Sequence, residues 1–234
     1  MRRFWILILA AMLLGLASCA SHTQEPPGLD MEGVAGIVPV DVTPLSSIVN
    51  LDFSEPLNPS ISQGANDFAF RLAHAMMNMH NDDNFVMSPM SVWLPLAALA
   101  NATNPELLSD LLEAIGAAGH DVADINIAAA RMLYELMAEA PIHIANGIFA
   151  QYRDPINPDF AQTFADFFLG EMMNLNFMSP YAADVVNTWA ADNTEGLIDN
   201  ILRPEDFTAD LVAIIINAIY WSDDWAHAFD PAYT

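Results

Sequence analysis

The sequence predicts an α+β fold in which helices and strands are interspersed, and three observations carry that prediction. Four Asn/Ser-Pro dipeptides stand just ahead of apolar periodic segments and read as helix starts. Ile142 to Phe149 alternates as a half-buried strand does, and Leu211 to Ile216 is apolar without a break, as in a strand covered on both faces. No repeat of fixed period and no regular Rossmann or barrel alternation is present.

From the N-terminus, Arg2 and Arg3 precede an apolar run from Phe4 to Leu16, and Leu16-Ala17-Ser18-Cys19 closes it with small residues. That order of charge, apolar stretch and small residues is the order of a secretory leader. The tetrapeptide resembles the lipoprotein box of bacterial leaders. The resemblance implies that residues 1–18 are a signal peptide, that cleavage falls before Cys19, and that lipid is added to its thiol and amine. An uncleaved anchor would need about 20 apolar residues, more than the run supplies. Two or three acyl chains hold a protein stably at a bilayer. Cys19 is the single cysteine, which excludes an intrachain disulfide and a cysteine zinc site.

Residues 19–60 carry Pro26, Pro27, Pro39, Pro44, Pro56 and Pro59 with little periodicity, the composition of a spacer. Val34 to Val42 is a candidate short strand within it. Residues 61–234 are expected to form one domain.

A first helix is expected over about 62 to 80, where Phe68, Leu72, Ala75, Met76 and Met79 recur at helical spacing as a core face filled by methionine. Ser88-Pro89, Asn104-Pro105, Asn157-Pro158 and Ser179-Pro180 each open a further helix. In such pairs the short polar side chain accepts from free amides, and Pro at the first helical position loses no hydrogen bond. The Ser88 helix, running to about Ala100, is apolar on nearly every side and should be central. Pro95 within it predicts a kink or a break. The others are expected over 105–115, 124–139 and 158–169, the last with Phe160, Phe164, Phe167 and Phe168 on one aromatic face. The helix after Ser179 holds Val185, Val186 and Trp189.

There are 30 acidic residues against 6 Lys+Arg, none of them Lys, for a net charge of −24. Such a surface repels nucleic acid and anionic headgroups and stays soluble by self-repulsion. A salty or acidic habitat explains it more simply than an acidic site. No Gly-x-Ser-x-Gly elbow, Ser-x-x-Lys pair, His-Glu-x-x-His helix or phosphate-binding Gly-rich loop occurs, so no enzyme, cofactor or metal is expected. His74 and His143 read as structural, and Asp82-Asp83 and Asp223-Asp224 as solvated turn charges.

Four segments carry a family resemblance. Asn84-Phe85-Val86-Met87-Ser88-Pro89-Met90-Ser91 leads into the apolar helix, and Asn146-Gly147-Ile148-Phe149 lies on the alternating strand. Asn187-x-Trp189 with Thr194, Gly196 and Ile198 ends the Ser179 helix. Last comes Asn217-Ala218-Ile219-Tyr220, then Trp225, Phe229-Asp230-Pro231 and Thr234. In order and spacing these resemble the serpins over about 61 to 234. Leu197 in place of a Lys, Ser222-Asp223 in place of Lys-Gly, and Pro95 depart from the pattern.

The resemblance implies helices packed on a large central β-sheet, with the C-terminal portion of the fold lying beyond Thr234. It implies a protease inhibitor whose cleaved reactive loop inserts into the sheet as a new strand. Ser88, Ser91 and Asn217 match the shutter where the sheet opens, and Trp225 matches the breach where insertion starts. Asn187, Trp189, Thr194 and Gly196 match the motif of the helix covering the sheet. The reactive loop is expected outside these residues, so the chain alone should not inhibit, and the free edge of the Leu211 to Ile216 strand should lack a partner. The partner implied is a serine or cysteine protease, with no nucleic acid and a membrane reached only through the lipid on Cys19, at the bacterial cell surface. A non-inhibitory relative acting as a binding or chaperone-like surface lipoprotein is the alternative. An unrelated solute-binding lipoprotein fits the four segments poorly.

Overall fold

The alternating segment and the unbroken apolar run become neighbouring strands of one sheet. The computed structural model describes residues 8–14, 38–39, 56–79, 84–153 and 156–223, the first two stretches as backbone only. In chain order the elements are β1 (Ile8–Leu14), β2 (Val38–Pro39), α1 (Pro59–Met79), α2 (Pro89–Leu99), α3 (Pro105–Ala114), α4 (Val122–Glu139) and β3 (Ile142–Gln151). Then follow α5 (Pro158–Phe168), β4 (Gly170–Leu175), α6 (Ala182–Asp192), a 3₁₀ turn (Pro204–Asp206) and β5 (Ala213–Trp221). The sheet order is β1-β5-β3-β4-β2. β3 and β5 pair antiparallel from Ile142 opposite Trp221 to Ala150 opposite Ala213, and β3 runs parallel to β4.

Period-two alternation sorts β3 and β5 onto two cores. Ile144, Ile148, Ile215 and Ile219 join Trp93, Leu94, Leu133, Phe164 and Phe168 on one face. Phe149, Ile214, Ile216 and Ala218 join Val185, Val186 and Trp189 on the other. The sheet is therefore a middle layer, with α1 to α5 on one side and α6 on the other. Burying a large apolar side chain such as Leu94, Phe149 or Phe168 stabilises by about 1.5–3 kcal/mol.

Local chemistry places the helix starts. Ser88, Asn104 and Asn157 are N-caps whose side chains accept from the amides of Ser91, Leu107 and Asp159, with Pro in the first turn each time. α2 is central, with Leu94, Ala97 and Ala98 fully buried.

Several expectations are corrected. Pro95 does not break α2, which is one continuous helix from Pro89 to Leu99 with Pro95 buried inside it. Tertiary burial on all sides outweighs the single backbone hydrogen bond that Pro forgoes. Ser179-Pro180 forms a turn, its hydroxyl accepting from Tyr181 N at 3.3 Å, and α6 starts only at Ala182 with Tyr181 as N-cap. The expected core face of α1 is not core throughout: Phe68, Leu72 and Met76 are half-buried, Ala75 is exposed and Met79 is 75% exposed. β4 and the 3₁₀ turn lie where no element is expected, and Leu211 and Val212 precede β5 instead of belonging to it. The outer edge of β5 is not bare either, because β1 runs parallel along it from Ile8 opposite Ile215 to Leu14 opposite Trp221. An apolar run able to extend meets an unpaired ladder there and satisfies it. Within the candidate strand Val34 to Val42, Val38–Pro39 pairs with β4. Cys19, Asp82-Asp83 and Trp225 lie outside the described residues.

Candidate functional site

Of the residues expected at a sheet-opening site, Ser88 and Ser91 lie at the start of α2 and Asn217 on β5, the strand against which α2 packs. Ser88 caps α2, and its Oγ accepts from Ser91 N at 3.3 Å. Asn217 stands on β5 in the row of Ile215 and Ile219, which faces the α2 side, directly opposite Asn146 of β3 in the row of Ile144 and Ile148. Both asparagines are 1% exposed. They form a relay: Asn217 Nδ2 donates to Asn146 Oδ1 at 2.8 Å, and Asn146 Nδ2 donates to the Phe168 carbonyl at the end of α5 at 2.5 Å. Asn217 Nδ2 also lies 3.5 Å from the Ala145 carbonyl.

The relay stops short of completion. Asn217 Oδ1 and Ser91 Oγ are buried and have no hydrogen-bond partner among the described residues. Asn174 Oδ1 on β4 is a third such atom. A buried polar atom without a partner costs about 1–3 kcal/mol. Two of the three unpartnered atoms thus belong to residues singled out from the sequence, on adjoining elements in an otherwise apolar layer.

On the opposite face α6 is fastened by the motif residues. Asn187 Oδ1 accepts from Ile201 N and Leu202 N at 2.9 and 3.0 Å, and its Nδ2 donates to Leu202 O at 2.8 Å. The side chain thereby satisfies three backbone groups of the segment leading toward β5. Trp189 lies on β3 at Gly147, where a Cβ would come within 2.9 Å of the indole. Its Nε1 donates to Glu171 Oε2 of β4 at 3.0 Å, and its ring meets Phe149 edge-on at 6.0 Å. Thr194 Oγ1 donates to Ala190 O at 2.7 Å and accepts from Ile198 N at 3.1 Å, which closes the exit turn through Gly196 at φ +75°.

Ser88 and Ser91 on α2 and Asn217 on β5 therefore belong to elements that pack together, and Asn187, Trp189, Thr194 and Gly196 lie across the sheet from them. Asn146, Phe168 and Gly147 escaped the sequence reading as site residues. A polar residue at an inward position of an apolar alternation, Ile144-x-Asn146-x-Ile148, is the signal that points to the first of them.

A family model described as serpin (serine protease inhibitor) matches residues 63–234. The chain belongs to the serpin family. Among curated serpins, antichymotrypsin-2 of Bombyx mori is 26% identical over 179 residues, covering 76% of this chain and 48% of that protein. Alaserpin of Manduca sexta is 28% identical over 181 residues, covering 74% of this chain and 44% of that protein. The solved structure of serpin48 from the insect Tenebrio molitor superposes with a TM-score of 0.69 at 20% identity, covering 77% of this chain and 50% of that one. This serpin chain spans about half the length of the curated relatives it matches. Arg153 titrates higher than usual through its hydrogen bond to the Tyr152 hydroxyl.

Proposed function

We propose that these residues belong to a cell-surface serpin that inhibits a serine or cysteine protease by inserting its reactive loop into the sheet, and that the 234 residues alone do not inhibit. In this reading residues 1–18 leave as a signal peptide, Cys19 carries the lipid, residues 19–60 are the spacer, and residues 61–234 are the first part of the inhibitor domain. The observation that carries it is the Ser91, Asn146 and Asn217 interface, where buried polar groups keep unused hydrogen-bonding capacity beside the β5 edge. Hydroxyls and amides of this kind exchange partners between a closed and an open sheet at modest net cost.

Leader removal would take β1 away and leave the β5 edge free for another strand. The test pairs the 234-residue chain with the product of the gene read beyond Thr234, each mixed with serine and cysteine proteases. The longer protein is expected to form a stoichiometric, SDS-stable complex, and the chain alone none. A complex formed by the chain alone would refute the second half of the proposal. Failure of the longer protein across a broad protease panel would favour a binding or chaperone-like lipoprotein. The anchor is tested separately, because Cys19→Ser should release the protein from the membrane fraction and abolish lipid labelling.

A further inference from the structure

The last turn of α6 and the reversal that follows are closed by local hydrogen bonds and tethered to the sheet by one exchangeable contact. Within the turn, Asn193 Nδ2 donates to Trp189 O at 2.8 Å, Thr194 bonds Ala190 and Ile198, and Gly196 N donates to Ala191 O at 2.8 Å. Glu195 takes φ +52° to make this reversal. From the turn to the sheet runs the hydrogen bond between Asn193 Oδ1 and His143 Nε2, 3.0 Å long and spanning 50 positions of sequence. The Asn193 amide nitrogen is committed to Trp189, so its oxygen faces the ring and His143 is the donor.

His143 is the second residue of β3, exposed, and opposite Tyr220 of β5. It lines an open cavity of about 440 Å³ together with Met137, Asp192, Asn193, Glu195 and Tyr220. Solvent is therefore next to the contact and can compete for either partner, while the carboxylates of Asp192 and Glu195 can compete only for the His143 N–H. The middle of α6 is held quite differently, by the buried indole of Trp189 and the three backbone bonds of Asn187.

We propose that His143 and Asn193 form a latch: one side-chain hydrogen bond that decides how often the C-terminal end of α6 lifts from β3 while the Trp189 and Asn187 fastenings stay closed. Because α6 covers the two strands beside which insertion occurs, the latch would set the ease of that step, a consequence that rests on the inhibitor reading. The latch itself does not depend on it. Local opening of this kind is an equilibrium within the native state, distinct from unfolding.

Hydrogen exchange on the 234-residue chain, read by mass spectrometry of peptides after quenching, tests it without a target protease. His143→Ala is expected to raise exchange at the exit-turn amides of Asn193, Thr194, Gly196 and Leu197 by about three- to tenfold, the effect of losing one ordinary hydrogen bond. Peptides from α2 and from the β3–β5 pairing are expected to keep their protection. His143→Gln, whose Nε2 can donate to the same oxygen, should restore the native rate. Substitution at this exposed position leaves no core cavity, so the variants should fold. Unchanged exchange in His143→Ala, an equal rise throughout the molecule, or no recovery in His143→Gln would overturn the proposal.

Discussion

The asparagine relay predicts an asymmetry between its two members. Asn146→Ala removes the acceptor of Asn217 Nδ2 and the donor to Phe168 O, leaving two buried groups without good partners, since Asn217 Nδ2 retains only the 3.5 Å approach to Ala145 O. At about 1–3 kcal/mol for each such group, the cost is about 2–6 kcal/mol. Asn217→Ala takes one donor away from Asn146 Oδ1, but it also removes an Oδ1 that already has no partner. Those two effects oppose each other, and the net cost is about 0–2 kcal/mol including the small void. Equilibrium urea unfolding of the 234-residue chain measures the difference. With a slope of about 2–3 kcal/mol per molar, the Asn146→Ala midpoint should fall about 1 M below that of Asn217→Ala at unchanged slope. Equal midpoints, or a larger loss in Asn217→Ala, would show that Asn217 Oδ1 is satisfied in solution and that the relay is misjudged.

Three further outcomes are expected. In Gly64→Ala the new Cβ would lie 1.8 Å from the carbonyl oxygen of Gly116, a backbone atom that cannot rotate aside. Overpacking of about 3 kcal/mol should outweigh the helix-propensity gain of about 1 kcal/mol, and calorimetry should show the melting temperature lowered by several degrees. Asn187→Ala should free the Ile201–Leu202 backbone and speed limited thermolysin cleavage there by about tenfold, with α4 peptides as the control. Added NaCl should raise the melting temperature, because 30 acidic residues face 6 basic ones, and the Debye length shrinks from about 10 Å at 0.1 M to about 3 Å at 1 M. A flat or falling salt response would mean that the acidic surface costs the fold nothing.

Sequence was most informative where one residue's own chemistry decides the outcome. The caps at Ser88, Asn104 and Asn157 needed nothing beyond a short polar side chain and the following Pro, and all three act as caps. Ser179 has the same dipeptide but spends its hydroxyl on Tyr181 N in a turn, a choice made by how the chain leaves β4. β4 itself, Gly-Glu-Met-Met-Asn-Leu, lacks clean alternation, and its pairing with β3 is what makes it a strand. Ala75 and Met79 misled because helical spacing shows which residues share a face but not how far along the helix that face stays covered. Ser88, Ser91 and Asn217 were singled out through motif order, and two of them carry buried atoms without a partner among the described residues. Asn146 became visible only once register set it opposite Asn217. His143 and Asn193, 50 positions apart, carry no local signal of their contact.

The seat of Trp189 has a practical consequence. Its indole is pressed between α6 and β3, with its N–H on Glu171 and its edge against Phe149, so its fluorescence depends on the spacing between that helix and the sheet. The other four tryptophans add background emission, among them Trp93, 3% exposed and bonded to Ile115 O on the far side of the sheet, and Trp221, 38% exposed at the end of β5. The molecule thus carries its own optical gauge, and a red shift that vanishes in Trp189→Phe, seen while far-UV circular dichroism is unchanged, would report α6 rising from the sheet.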